Sequence, residues 1–317
     1  MKYSIVVPAY NSEKTIKKCL DALVNQNFNE KYEIVVVDDG SKDKTKNIVC
    51  EYSDVKYVYQ SNAGPAAARN TGWRNCIGDI VVFTDSDCVP EKNWLKEMVK
   101  PFINKNIAAV GGCYDGVVNS KSRLANIIGE EIKYRYSKMN SEIDAHGSYS
   151  LAIRKNILES TNGYDEKYPV ATAEDFDLCY RIVAKGNVII LNKNAKLGHH
   201  HPEILWKYLK TQFRHGYYRV KLYKDNPKKV SGDKYSGNAK YQVILSGLSI
   251  LSLLISFRIT LVTIFVLFLF QTSFIKYLII RKENFKFIFE SILLQILRGY
   301  AWFFGMFFGI INLIVKK

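Results

Sequence analysis

Apolar residues fall into two regimes along the chain. Up to about residue 200, short continuous apolar runs alternate with stretches of helical spacing; beyond residue 240, long apolar segments follow one another with few charges. In the first regime Ser4 to Val7, Tyr32 to Val37, Lys56 to Tyr59 and Ile80 to Thr84 read as strands. Runs this short, bounded by turn residues, suit strands buried on both faces, as in a parallel sheet. Between them, Glu13 to Asn25 sets Ile16, Leu20, Leu23 and Val24 at helical spacing, Ser41 opens a helix carrying Asp43 and Thr45, and Ala66 to Asn70 lies in a third helix. Asn93 to Asn104 predicts an amphipathic helix, and Ala108 to Gly112, His146 to Ile153 and Val188 to Leu191 predict further strands. Residues 121–145 read as a polar helix or loop bordering a cleft, and a helix starts near Thr172 or Ala173. This alternation predicts an α/β fold, Rossmann-like, with a mainly parallel sheet and helices on both faces.

In open α/β sheets ligands bind beyond the carboxyl ends of the strands. The run Ile80 to Thr84 stops there at Asp85-Ser86-Asp87. Two hard oxygen donors one residue apart suit Mg²⁺ or Mn²⁺ shared with a diphosphate, although the same tripeptide also serves as a polar turn. In Asp38-Asp39-Gly40-Ser41 a carboxylate can accept from a base N–H or a ribose hydroxyl, and Gly40 lets a ligand approach the backbone. A helix start beyond it favours phosphate; a plain N-cap and turn need no ligand. It is not the glycine fingerprint of dinucleotide-binding folds. Glu174 and Asp175 stand in a first helical turn, where the macrodipole favours carboxylates and where a general base could be held. His199-His200-His201 offers an imidazole as a third metal ligand, His200 being the candidate, since three adjacent histidines cannot all face one site.

The 317 residues allow one or two domains, and the formal net charge is +15. A basic balance fits nucleic acid, an anionic membrane surface or negatively charged small substrates. The cations crowd into residues 203–240 (Lys207, Lys210, Arg214, Arg219, Lys221, Lys224, Lys228, Lys229, Lys234, Lys240) with no nucleic-acid motif, which excludes the first. Six cysteines without Cys-x-x-Cys spacing read as reduced thiols of a cytosol-facing domain. Met1 to Ser4 runs straight into a strand, so no signal peptide is expected. Tyr241 to Phe257 is free of charge and Ile259 to Ile280 holds only Lys276, so two membrane crossings are expected over 241–257 and 259–280, hinged at Arg258. Residues 285–315, interrupted by Arg298 and followed by Lys316-Lys317, read as a membrane-associated tail, because a third crossing would carry those lysines outside. Gly299, Gly305 and Gly309 allow close helix packing there.

Taken together, Ser4 to Asn11, Val37 to Ser41 with Asp43 and Thr45, Gly64 to Gly72 with Ala68-Arg69-Asn70, Asp85-Ser86-Asp87, and Gly163-Tyr164-Asp165 leading to Glu174-Asp175 resemble a family 2 inverting glycosyltransferase. The resemblance covers residues 3–220 and implies the GT-A, nucleotide-diphospho-sugar transferase fold. It implies that Pro8, Ala9, Tyr10, Asp39, Gly64, Arg69, Asp85 and Ser86 bind a UDP- or GDP-linked sugar, with Asp39 on the base. Asp87, with Asp85 and His200, would hold Mn²⁺ or Mg²⁺. Asp175 would be the general base with Glu174 beside it, and Gly147 and Ser148 would line the acceptor side. Where processive members carry Gln-x-x-Arg-Trp this chain has Gln212-Phe213-Arg214-His215-Gly216, which implies single addition. The resulting layout is a catalytic domain over 1–220, a basic juxtamembrane linker over 221–240 and membrane helices over 241–317, in a multi-pass membrane enzyme with its catalytic domain in the cytoplasm. A lipid-linked or cell-surface glycan is the expected acceptor, membrane lipids are expected partners, and polyprenyl phosphate is the alternative acceptor. Two competing readings are a nucleotidyltransferase of related fold, against which Glu174-Asp175 argues, and a catalytically silent sugar-nucleotide-binding membrane scaffold.

Overall fold

A computed structural model of the chain describes residues 1–235 and 239–315, so the expectation placed on Lys316-Lys317 lies outside the described residues. The chain forms two compact units, Met1–Asn119 with Lys138–His201 and Ser120–Ser137 with Pro202–Lys317. The division therefore falls near residue 201, not 220, and the expected linker is partly the end of a long helix.

The first unit runs β1 (Tyr3–Ala9), α1 (Ile16–Val24), β2 (Tyr32–Asp38), α2 (Thr45–Val49), β3 (Val55–Tyr59), α3 (Pro65–Arg74), β4 (Ile80–Thr84), β5 (Cys88–Pro90), α4 (Trp94–Val99) and β6 (Ile107–Val117). After α5 (Arg123–Lys138), nearly all of which belongs to the second unit, come β7 (Glu142–Ile143), β8 (Ser150–Arg154), α6 (Lys155–Thr161), α7 (Glu174–Ala184) and β9 (Val188–His199). The strands build one sheet in the order β3-β2-β1-β4-β8-β6-β9-β5, with β7 on β9. Pairing is parallel from β3 to β4, as the continuous apolar runs require, but β8 enters antiparallel to β4 and β6, so the sheet is mixed. Ile5, Val6, Val7 and Ile80 to Phe83 are wholly buried, and each such side chain stabilises the sheet by about 1.5–3 kcal/mol.

Register places the loops. Ala9 faces Asp38 and Asp38 faces Tyr59, so the turns beginning at Tyr10, Asp39 and Gln60 leave from one edge. The antiparallel pair Thr84/Ser150 delivers the residues before β8, Gly147 to Tyr149, to that edge beside Asp85. Because β6 is antiparallel to β8 and parallel to β9, His199 at the end of β9 opens there too, opposite Cys88. Two elements start four residues later than their sequence predicts. The helix expected from Ser41 begins at Thr45, because Asp38 Oδ1 accepts the Ser41 N–H (2.8 Å) and holds residues 38–41 in a turn. The strand expected from His146 begins at Ser150, since the His146 ring nitrogens lie 2.8 and 2.9 Å from the Gly112 and Gly147 carbonyls instead.

The second unit contains α5 with α8 (Leu205–Asp225), α9 (Ala239–Leu253), α10 (Phe257–Leu269), α11 (Thr272–Ile280) and α12 (Phe285–Val315). The first expected crossing is thus a 15-residue helix, roughly 22 Å long at 1.5 Å per residue and short of a hydrocarbon core about 30 Å thick. The second is broken into α10 and α11 with a 40° bend, and Arg258 lies inside α10. The segment read as a tail is the described helix long and apolar enough to cross a membrane. Its three glycines do permit close approach: Gly305 and Gly309 face the backbone of α8, where a methyl on Gly305 would overlap the Phe213 carbonyl, and Gly299 faces Ser246 and Gln242 of α9. Arg298 is paired with Glu131 of α5 at 2.9 Å.

Beyond residue 239 several polar side chains are buried and many large apolar ones face outward. Gln242, Ser246, Ser249, Ser252, Thr260, Gln271, Ser291 and Gln295 are buried, whereas Leu254, Ile255, Phe257 and Phe265 are mostly exposed. The buried hydroxyls satisfy one another between helices, Ser249 with Tyr300 (2.7 Å) and Ser252 with Thr260 (3.2 Å). Of the basic stretch, Arg219 is buried against Asp233 and the Trp302 ring, while Lys207, Lys210 and Arg214 stay exposed on one face of α8.

Candidate active site

Several loops meet at the carboxyl edge of the sheet. Arg69, in the first turns of α3 and 4% exposed, donates from Nη2 to Asp85 Oδ1 (2.9 Å) and from Nη1 to Glu174 Oε1 (2.8 Å). One guanidinium thus joins the loop after β4 to the start of α7, whose Glu174 lies 105 positions beyond Arg69 in the chain. Its planar fork makes such a double engagement possible. Glu174, almost wholly buried, also accepts the Thr172 and Ala173 N–H groups at Oε2 (2.8 and 3.1 Å), so both its oxygens are engaged. It positions; its neighbour is the half-buried one.

Asp175 accepts from the Phe176 N–H (2.8 Å) and the Ser148 N–H (3.3 Å). Gly147 lies close: a Cβ there would stand 3.5 Å from Asp175 Oδ2 and run into the Tyr149 ring. The Ser148 hydroxyl is buried against Tyr164 Oη (2.9 Å), so this residue meets the site through its backbone. Burial pushes the Asp175 carboxyl up to about 7 and the Glu174 charge adds to it, while Arg69 and the two N–H groups oppose. A general base is most effective when its pKa lies near the working pH. The base form is the carboxylate, so acid removes it: kcat/KM is expected to fall about tenfold per pH unit below pH ~7. An acid limb centred near the ordinary aspartate value would contradict this.

At the end of β1, Tyr10 is half exposed. Pro8 is half-buried and Ala9 buried beneath it. Asp39, given to the base by the resemblance, is buried, and its oxygens accept from Gln60 Nε2 (2.7 Å), Ala63 N (2.8 Å), Gly64 N (2.9 Å) and Asn62 Nδ2 (3.2 Å). A carboxylate has about four acceptor positions. All four are used to fold residues 60–64 into the entry of α3, where Gly64 at φ +93° has Pro169 O only 3.0 Å from where a Cβ would sit. Ser86 Oγ pairs with Ser12 Oγ (2.8 Å), tying the acidic loop to the start of α1.

The imidazole beside Asp87 belongs to His199: Nε2 lies 3.3 Å from Asp87 Oδ2. His200, the residue expected there, reaches Asp87 through its backbone N–H, donated to Asp87 O (3.0 Å). Alternate residues of an extended chain share a face, so His199 and His201 point one way and His200 the other. Ligands about 2.1 Å from a common ion at right angles stand ~3 Å apart, which the Asp87–His199 pair matches. Cys88 Sγ completes a group of donors within 4.8 Å of one another. Burial, with Asp87 and Asp85 adding, pushes its thiol well up. A carboxylate and an imidazole this close are donors that fit a divalent cation. Burial raises the Asp87 carboxyl, but His199 beside it outweighs that and holds it below the ordinary value. Asp85 is raised, burial and Asp87 outweighing Arg69.

Comparison with known proteins identifies the class. Residues 4–159 match the family model "Glycosyl transferase family 2". Glycosyltransferase AglE of Haloferax volcanii is 27% identical over 230 residues, 69% of this chain and 73% of that protein. The Escherichia coli UDP-Glc:alpha-D-GlcNAc-diphosphoundecaprenol beta-1,3-glucosyltransferase WfgD is 27% identical over 192 residues, 60% and 72% of the two. A mannosyltransferase from Pyrobaculum calidifontis, solved with GDP-Man and Mn²⁺, shares the fold with a TM-score of 0.57 at 22% identity, over 71% of this chain and 64% of that one. The chain spans only 52% of two longer curated glycosyltransferases. It is a glycosyltransferase with a GT-A-like fold. More particularly, it carries a glycosyl transferase family 2 domain.

Proposed function

We propose that the chain moves a sugar, with inversion and one residue at a time, from a UDP- or GDP-linked donor to a lipid-linked or cell-surface glycan at a membrane. The observation that carries this reading is the Arg69 bridge, which ties Glu174 at the start of α7, next to Asp175, to Asp85 of the acidic loop. Asp175 takes the proton of an acceptor hydroxyl, the oxygen bonds to the anomeric carbon, and the bond to the nucleoside diphosphate breaks on the opposite face. Asp87 and His199, with Asp85 alongside, would hold a divalent cation, which when bound offsets charge on the departing diphosphate. Imidazole among carboxylates favours Mn²⁺ over Mg²⁺.

Membrane attachment is supported by α12 and by the buried polar, exposed apolar pattern of its unit, the arrangement expected of helices packed in lipid. Exposed Lys207, Lys210 and Arg214 suit anionic headgroups. The E. coli relative is named for a diphosphoundecaprenol-linked acceptor, which supports a lipid-linked one here. Gln212 of the short segment standing where processive enzymes carry their motif accepts from Trp302 Nε1 (2.9 Å), a structural commitment that suits single addition. The test presents purified full-length protein with a panel of UDP- and GDP-sugars and membrane lipid extract. Release of nucleoside diphosphate that depends on the extract is expected, faster with Mn²⁺ than with Mg²⁺, and His199→Ala should narrow that difference. Release of pyrophosphate, or donor binding with no turnover under any acceptor, would contradict the reading.

A further inference from the structure

Beyond the cation ligands stands a second imidazole that the transfer itself does not use. His199 Nδ1 and His201 Nδ1 are 2.9 Å apart, with the rings 4.5 Å centroid to centroid. Only one hydrogen fits between two such nitrogens, so one ring donates and the other accepts. His199 needs a bare Nε2 toward Asp87 to act as a ligand, which puts its own hydrogen on Nδ1 and makes His201 the acceptor. His201 is held firmly in that position. It is 3% exposed, and Asn119 clamps its backbone from both sides, Oδ1 accepting the His201 N–H (3.1 Å) and Nδ2 donating to the His201 carbonyl (2.8 Å). Tyr114 walls both rings, 4.9 Å from His199 and 5.8 Å from His201. The far nitrogen of His201, Nε2, is buried without a partner. A group left in that state marks a residue kept for something other than its own hydrogen bonding.

We propose that His201 is a positioning residue that fixes the tautomer and aim of His199, and so sets the cation affinity of the Asp87–His199 site. This rests on the reading of Asp87 and His199 as cation ligands, and it extends that reading to a residue that touches neither cation nor sugar. Metal-bound histidines depend on the group that accepts their second N–H, and losing that group costs about 10- to 100-fold in affinity.

The experiment titrates full-length wild type, His201→Phe, His201→Asn and His199→Ala with Mn²⁺, followed by electron paramagnetic resonance without any nucleotide. Wild type is expected to bind, and His201→Phe to bind about 10- to 100-fold more weakly. His201→Asn, whose amide oxygen can take the place of Nδ1, is expected to recover most of the loss. Adding His201→Phe to His199→Ala should weaken binding no further, since His201 acts only through His199. A purely structural role would lower the melting temperature of both His201 variants and leave the Mn²⁺ affinity of the folded protein unchanged; that result overturns the proposal. Equal losses in His201→Phe and His201→Asn, or additive losses in the double variant, overturn it as well. If wild type binds no Mn²⁺, the cation site itself fails along with it, an outcome distinct from one in which only the His201 variants match wild type.

Discussion

Asp175→Asn is expected to slow sugar transfer by about 10² to 10⁴ while donor binding stays nearly unchanged. The substitution keeps the shape of the side chain and one acceptor oxygen, but Asp175 receives the Ser148 N–H at Oδ2 and the Phe176 N–H at Oδ1, so one of these bonds is lost along with the capacity to take a proton. The effect belongs in the rate of a single turnover, not in the donor dissociation constant. Stability should change with pH. Folding raises the Asp175 pKa, so its contribution is present below the unfolded value and is lost as pH rises through about 7. At neutral pH and above the buried carboxylate is therefore a cost that asparagine does not carry, which offsets its lost N–H acceptor, so any stability deficit of the variant is expected to shrink as pH rises through about 7. Single-turnover kinetics with donor titration and thermal unfolding check both halves, and a variant that turns over like wild type removes Asp175 from the mechanism.

Arg69→Met is expected to destabilise the first unit by about 3–5 kcal/mol, because it leaves Glu174 as a buried charge without its cation. Asp85, a third exposed, can regain water and adds less. For a unit of this size the loss corresponds to a fall in melting temperature on the order of 10 °C. Arg74→Met is the control. Arg74 lies 3.7 Å from Glu166 with both side chains about half exposed, and its removal should cost about 0–1 kcal/mol. Adding Glu174→Gln to Arg69→Met removes the unpaired charge and is expected to recover part of the stability without restoring activity, since Asp85 and α7 are still uncoupled. Equal melting temperatures for Arg69→Met and Arg74→Met would show that the bridge bears no stability.

How far these features could be read in advance depended on the range over which each is encoded. The strands at Ser4 to Val7, Tyr32 to Val37 and Ile80 to Thr84 are local, and continuous apolar runs ending in acids announced both a parallel sheet and the edge where its chemistry gathers. Asp85 and Asp87 could be placed at that edge for the same reason, whereas Asp175 was singled out by its first helical turn and by the family resemblance. The Arg69 fork was not legible, because nothing in an alanine-rich helical turn says which carboxylates, far off in sequence, its guanidinium will meet. Period-2 alternation separates His200 from His199 and His201, but choosing between the two faces needs the pairing of β9 with β5, and that register is a tertiary fact. Asp39 likewise carries no local mark that its four acceptor positions are spent on residues 60–64. In the C-terminal third, apolar content was plain, whereas the break between α10 and α11 and the pairing of Arg298 with Glu131 come from packing. Expectations about crossings were drawn from composition, which does not fix where a helix stops.

Transfer with inversion requires a carboxylate base and a departing diphosphate on opposite sides of one anomeric carbon. The most direct measurement of that arrangement is the anomeric configuration of the first product, read by proton NMR after a single turnover with an α-linked nucleotide sugar. A β-linked product is predicted. An α-linked product would mean retention, and would contradict a single displacement driven by Asp175.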